Sequence, residues 1–470
     1  MMTPVEKSIF SYLRDYAEAQ PNDLFLHGEE GGYTVKELYY ASLSAAKALS
    51  ERGVARGQHI GLAGTRTIEA IILFLALQYL GAVTVLCDPH TDARTCIEQS
   101  GVPLIPDHTI DYTSGGWLVD GKPFRILKAD DAGLVDAEKP DVYAPAVIIF
   151  TSGSTGKNKG VIHSQYSLVN HQRNFHVVGG NEPGDSAIQM LPIFHIFGLT
   201  QILDGIMHRC PLFFPKEVTP EGVCAGVEKY GFTRFGFVPS FALGMANAKK
   251  EKCYNTDTLK IAVLAGAPST REQFNFIQDT LGMKIVPCYG MSECPGISGG
   301  APTESDEDRA SSVGKILPLT EVQIEDDGEI CVRAPSLCIG YVGEKPLDRN
   351  AFFPTGDLGY LDDKGFLHIT GRKKDIIIRN GNNLSAAALE NKLLALPFVE
   401  SAAVVGLNDA KCGEVPAAAI TLKRGCAYDE KQLRAAFNAL EMPTAVRVLE
   451  KMPLNAAGKI NKQKVKELFA

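Results

Sequence analysis

The 470-residue chain has no C-x-x-C pair and no G-x-G triplet. The first absence removes the common zinc-ligand spacing, and the second removes the dinucleotide-binding fingerprint. Its eleven cysteines are scattered, and Cys288 and Cys294 do not stand at zinc-ligand spacing. They read as reduced thiols, mostly small core residues. A basic excess is also missing: 47 Lys and Arg against 55 Asp and Glu give a net charge of −8. Nothing in that balance draws nucleic acid. Residues 1–20 alternate charge with apolar side chains at helical spacing and lack the apolar run of a signal peptide. Only residues 70–86 approach membrane length, and Gln78, Tyr79 and Gly81 interrupt them. That segment predicts a buried helix ending at Gly81, then a buried strand over 83–86. The expectation is a cytoplasmic protein with no membrane span, a monomer or homodimer.

What is present suits a large globular chain: 45% hydrophobic, 22% charged and 8% aromatic residues. This length exceeds one compact core and predicts two or more domains. Strand-like runs at 146–151, 261–265 and 284–289 alternate with helical stretches, which argues for α/β layers around buried sheets. Near residue 320 the pattern turns to short alternating strands joined by Asp-Gly and Lys-Gly turns, the mark of a small β-barrel or distorted sheet over about 312–373. Beyond residue 375 the reading is strand 376–378, helix 386–396, strands 399–406 and 417–422, and helix 429–440. The expected organisation is an α/β fold. A large N-terminal domain, 1–373, has layered α/β subdomains plus the small barrel. A small α+β C-terminal domain covers 374–470.

Four segments carry chemistry. Phe150-Thr-Ser-Gly-Ser-Thr-Gly-Lys-Asn-Lys-Gly160 follows a buried strand. Its glycines free backbone N–H groups to face an anion, while Thr151, Ser152, Ser154 and Thr155 add hydroxyls and Lys157 and Lys159 add charge. It is not a Walker A loop, because Gly153 and Gly156 enclose only two residues and Asn158 follows Lys157. The bland alternative is a flexible surface turn. In Cys288-Tyr-Gly-Met-Ser-Glu293, Tyr289 can stack on a base, Gly290 allows close backbone approach, and Glu293 is a hard oxygen donor suited to Mg²⁺. Taken alone it reads better as a strand-end turn with a solvated Glu. In Thr355-Gly-Asp-Leu-Gly359, Asp357 can hold vicinal ribose hydroxyls, with Arg372 as a reinforcing donor; Asp357 could also simply form a turn. Finally, Pro453-Leu-Asn-Ala-Ala-Gly-Lys-Ile460 presents Lys459, by itself an ordinary solvated lysine.

In this order and spacing the four segments resemble the adenylate-forming superfamily of acyl-CoA synthetases, firefly-type luciferases and carrier-protein adenylation domains. The resemblance runs from Thr34-Val-Lys-Glu-Leu to Lys459. It implies that Thr151, Ser152, Gly153, Ser154, Thr155, Gly156 and Lys159 hold the β- and γ-phosphates of ATP. It implies that Gly266, Ala267 and Pro268 lie against adenine opposite Tyr289, with Gly290 beside them. Ser292 and Glu293 match the hydroxyl–acid pair near the α-phosphate and Mg²⁺, although Thr is commoner than Ser there. Asp357 and Arg372 match the ribose contacts, and Lys459 the lysine that reaches the α-phosphate and the substrate carboxylate. Leu191-Pro-Ile-Phe-His-Ile-Phe-Gly198 resembles the acyl-pocket segment, so His195 is expected to contact or gate the acyl group; a core histidine between Phe194 and Phe197 is the alternative. Phe235, Phe237, Gly290 and Met291 are expected to line the same pocket. Lys374 matches the interdomain hinge and Gly381 the glycine beside the pantetheine tunnel. The chain departs from the pattern at Asn158, Ala386 and Ala388, where Pro, Pro and Glu are usual.

The implied reaction uses MgATP to convert a carboxylic acid to an acyl-adenylate, then transfers the acyl group to coenzyme A. Loading of a holo carrier protein is the alternative. The Tyr-Gly-Met-Ser-Glu string is closer to CoA ligases than to amino-acid adenylation domains, which usually show Tyr-Gly-Pro-Thr-Glu. Intact Glu293, Asp357, Arg372 and Lys459 weigh against a non-catalytic binding protein. The aromatic residues suggest an apolar pocket but do not name the acid.

Overall fold

The computed structural model describes residues 2–29, 31–127, 140–152, 158–267, 269–454 and 460–469, with the side chain of Ser152 excepted. The expected phosphate-loop residues Gly153, Ser154, Thr155 and Gly156, together with Pro268 and Lys459, lie outside these.

Two large sheets dominate the first 340 residues. In one, parallel strands His59–Ala63, Val83–Cys87 and Pro145–Ser152 lie side by side, and Asn158–Ser164 folds back antiparallel on the last. Every residue of Val83–Cys87 is buried, which explains its unbroken apolar run. Helix Ile68–Leu80 connects the first two strands. It is apolar all round because both sides are packed, and nearly all its side chains are buried. Thr67 caps its start and Gly81 ends it in the left-handed region at φ 71°, as the sequence predicts. The other sheet sets Ala187–Ile188, Arg234–Phe237, Ile261–Leu264 and Lys284–Tyr289 in parallel order.

Helices Gln165–Gly179 and Ile196–His208 carry much of the wall that later forms the site. The first buries several polar residues, and some of them hold other segments in place. Asn170 Oδ1 accepts from the Val5 amide at 2.8 Å, and Gln165 Oε1 accepts from the Ile9 amide at 2.9 Å. Buried amides are tolerated because they replace water for loop backbone.

The expected small barrel is an antiparallel four-stranded sheet ordered Glu321–Ile324, Glu329–Arg333, Phe353–Leu361, Leu367–Arg372. The last segment packs Ile377, Leu389, Leu393, Val404, Ile420 and Leu433 into a separate cluster. Its central pair, Val399–Asp409 with Gly413–Leu422, is longer than the sequence suggests. Asp409 Oδ1 extends it by accepting from the amides of Lys411 and Cys412 at the turn. The helix predicted to 440 stops as Glu430–Ala436. Asn438 Oδ1 instead accepts from the Leu440 and Glu441 amides, a local bond that competes with helix. Among the described residues no helix is long and apolar enough to cross a membrane.

Candidate active site

Strand Lys284–Tyr289 delivers the segment on which the site turns. Gly290 is required by the chain itself: a Cβ there would overlap the carbonyl of Pro295. The expected reason, close approach to a ligand, is therefore joined by a close approach of the loop to itself. Met291 and Cys294 exchange backbone bonds of 3.0 and 3.1 Å across the turn. His163 Nε2 donates to the Ser292 carbonyl at 2.7 Å, which fastens the turn to strand Asn158–Ser164. Burial pulls the His163 pKa down to about 4, so the ring is neutral at pH 7.

Glu293 is 9% exposed. The hydroxyl of Tyr341 donates to its Oε1 at 2.8 Å, and among the described residues no other side chain hydrogen-bonds this carboxylate. Tyr341 lies on the two-residue strand Gly340–Tyr341, which pairs with Asn158–Ser164 through Val161. The Lys159 ammonium stands 4.2 Å from the Tyr341 ring centroid. Burial, then the Glu293 charge, pushes the Tyr341 hydroxyl pKa far up, so it stays a proton donor. Lys159, Tyr341 and Glu293 thus form one cluster at the exit of the 151–159 segment.

On the other side of the turn, the Tyr289 hydroxyl donates to Asp357 Oδ2 at 2.7 Å, and Arg372 Nε donates to Oδ1 at 2.9 Å. Asp357 and Arg372 are direct cross-strand partners, which explains how residues fifteen apart meet. Asp357 is 3% exposed. Its amide donates to Thr355 Oγ1, whose hydroxyl is spent on the Ile330 carbonyl. Gly356 adopts φ 74° in this turn, a conformation that glycine alone enters without strain. Burial, then Asp357, raises the Tyr289 phenol pKa well above its usual value. Each Asp357 oxygen keeps lone-pair capacity for a further donor.

Between the sheets runs a cavity of about 560 Å³. Thr151, His195, Gly266, Gly290, Met291 and Ser292 line it, as do Phe194, Phe197 and Phe235. His195 caps helix Ile196–His208 through its backbone, and its ring lies 4.4 Å from Phe194. Phe237 is not brought to this wall. It is 1% exposed in a core cluster. Ala267 is exposed beside Gly266.

Lys374 sits in a single 3₁₀ turn, Lys373–Asp375, at the entry to the last segment. Burial lowers its pKa. Gly381 forms, with Asn380, the tip of an exposed hairpin in which both have positive φ, 51° and 76°. That is the two-residue turn Asn-Gly favours, and Gly381 is not among the cavity residues. Tyr341 and His163 carry no motif signal and were not legible in the sequence. Their roles depend on a two-residue strand and on strand Asn158–Ser164, which only folding brings to the turn.

The chain matches the AMP-binding enzyme family model over residues 13–342 and the AMP-binding enzyme C-terminal domain over 388–459. It is 28% identical over 468 residues to the 2-succinylbenzoate–CoA ligase of Listeria monocytogenes serovar 1/2a, covering 97% of this chain and 99% of that protein. The 2-succinylbenzoate–CoA ligase of Geobacillus kaustophilus is also 28% identical, covering 98% of each. Among solved structures, the amide bond synthetase McbA from Marinactinospora thermotolerans superposes with a TM-score of 0.84 at 25% identity, covering 98% of this chain and 99% of that one. The o-succinylbenzoate CoA synthetase from Bacillus subtilis, in complex with its acyl-adenylate intermediate, gives 0.80 at 25% identity, covering 98% of each.

Proposed function

The chain belongs to the AMP-binding enzyme family, and from that premise we propose that it is an AMP-forming acid–thiol ligase that makes an acyl-adenylate and then an acyl-CoA thioester. One observation carries the reading. The single turn 288–293 contributes to the apolar cavity through Gly290, Met291 and Ser292. It also contributes to two polar clusters through Tyr289 with Asp357 and Glu293 with Tyr341. An acid in that cavity would therefore meet a nucleotide bound at Asp357 at one short seam.

A carboxylate is a poor electrophile, and its attack on the α-phosphorus brings two anions together. The site must cancel charge that develops as pyrophosphate leaves. Lys159 and the backbone amides of the 151–159 segment would hold the phosphates, and Asp357 with Arg372 would fix the ribose. Lys459, through its motif, is the proposed lysine for the reacting carboxylate and α-phosphate. Glu293 fits Mg²⁺: it is a carboxylate, mostly shielded, with one oxygen oriented by Tyr341. When bound there, Mg²⁺ would neutralise phosphate charge. The proposed organisation is a body over 1–373 and a mobile unit over 374–470 turning about Lys374. Withdrawal of Lys459 would then make room for the thiol.

The test is ATP–pyrophosphate exchange across aliphatic, aryl and amino acids, with and without CoA. Exchange with one acid class and CoA-dependent AMP release is the expected result. Exchange with AMP release only on addition of a holo carrier protein would move the acceptor to that protein. No exchange with any acid, together with no nucleotide binding, would refute the reading.

A further inference from the structure

Helices Gln165–Gly179 and Ile196–His208 meet near their C-terminal ends, where the His176 ring stacks on the His208 ring at 3.7 Å between centroids. Asp204 stands one turn before His208 on the same helix face. His208 Nδ1 donates to Asp204 Oδ1 at 2.8 Å, and Asn181 Nδ2 donates to Oδ2 at 2.7 Å. These two bonds orient the carboxylate, as outer partners of a metal ligand do. His176, Asp204 and His208 each bring one ligand atom within 4.8 Å of the others. Among the described residues no other group of His, Cys, Asp or Glu side chains does so. The adenylation scheme above uses none of the three.

His176 Nδ1 is buried without a hydrogen-bond partner, a costly arrangement for a polar atom unless a ligand completes it. Burial, then His208, holds the His176 pKa below its ordinary value. At pH 7 the ring is therefore neutral and has a lone pair to give. His208 ends its helix, where the negative end of the dipole favours a cation. Two imidazoles and one carboxylate suit a borderline transition ion rather than Mg²⁺, which prefers oxygen ligands. Ligand atoms on one tetrahedral ion stand about 3.3 Å apart. From a spread within 4.8 Å, capture needs a closing of about 1.5 Å at most, which side-chain rotation supplies as the ring stack splays. All three side chains are half-buried, so an ion has an approach from solvent.

We propose that His176, Asp204 and His208 bind one divalent transition ion of the zinc class, which ties helix Gln165–Gly179 to helix Ile196–His208. Three protein ligands leave a fourth position for water. Asp204 and Asn181 also line the cavity, so the tie sits in its wall. The ion is distinct from the Mg²⁺ proposed at Glu293. The inference goes beyond the ligase reading and stands apart from it, because its test reads metal rather than turnover.

The test uses the untagged full chain, freed of metal with a chelator and held in excess Mg²⁺. Calorimetric titration with Zn²⁺ should show one equivalent bound per chain, and Zn²⁺ should raise the melting temperature. His176→Phe keeps a ring for the stack but offers no lone pair, and Asp204→Asn keeps the shape but not the charge. Each should weaken Zn²⁺ binding at least about tenfold and lose the melting shift. Crystals of the parent grown with one equivalent of Zn²⁺ need no substitution, and anomalous scattering should place the ion between the three side chains. No Zn²⁺ binding in excess Mg²⁺ would overturn the inference. So would parent-like affinity in either folded variant, or an anomalous peak only elsewhere. None of these outcomes bears on whether the chain adenylates an acid.

Discussion

Tyr341→Phe isolates one bond at the centre of the proposed site. The substitution removes the hydroxyl that donates to Glu293 Oε1 at 2.8 Å. It keeps the ring beneath the Lys159 ammonium, 4.2 Å from its centroid, and the backbone pairing with Val161. Glu293 is only 9% exposed, so water replaces the lost donor poorly. A hydrogen bond to a charged group contributes about 1.5–3 kcal/mol. If that bond orients the carboxylate during adenylation, the full amount appears in the barrier. At about 1.4 kcal/mol per factor of ten, exchange should slow about 10- to 100-fold. The assay is ATP–pyrophosphate exchange at saturating ATP and acid, beside a thermal melt. An exchange rate within about twofold of the parent would refute the positioning role, because 2.8 Å geometry would then carry almost no transition-state energy. A lowered melting temperature with unchanged exchange would leave the bond a purely structural role.

Gly290→Ala should lower both melting temperature and exchange. The new methyl has only the backbone of Pro295 and Cys294 to push against, and overpacking of this kind costs about 1–3 kcal/mol; a variant with parent-like stability and exchange would contradict it. The depressed His163 pKa sets an acid limit on stability. Its folded value of about 4 lies below the ordinary 6.5, so its contribution is complete above pH 6.5 and is lost as pH falls toward 4. That shift corresponds to roughly 3 kcal/mol. Urea midpoints of the parent should drop between pH 6.5 and 4, and His163→Gln should flatten the curve; an equally steep curve in the variant would rule His163 out as the source. Lys459→Ala should abolish adenylation but spare thioester formation from supplied acyl-AMP, and Lys374→Pro should slow the thioester step more than adenylation. Equal loss of both steps in the first variant, or the reverse order in the second, would count against a moving C-terminal unit.

Much of the fold was legible because its signals are local. The helix ending at Gly81 announces itself by a mostly apolar body and a glycine stop. Strand Lys284–Tyr289 has the bounds its apolar run predicts. Where local rules compete the sequence misleads. Asn438 turns the chain where helical periodicity continues, and Phe237 packs into the core although its aromatic character suits a pocket. Gly290 was legible as a glycine that something approaches closely, but not as one its own loop approaches.

By itself the sequence determined the class of chemistry. A glycine- and hydroxyl-rich loop, a Tyr-Gly-x-Ser-Glu turn, a Gly-Asp turn and a late lysine are short strings, and their residue types and order limit what they can bind. Tertiary structure alone decided which side chains hold those groups. The Tyr341 hydroxyl on Glu293 and the Tyr289 hydroxyl on Asp357 each join elements distant in the chain. No local pattern encodes such meetings, because they depend on sheet register and on which face of a strand the pleat presents.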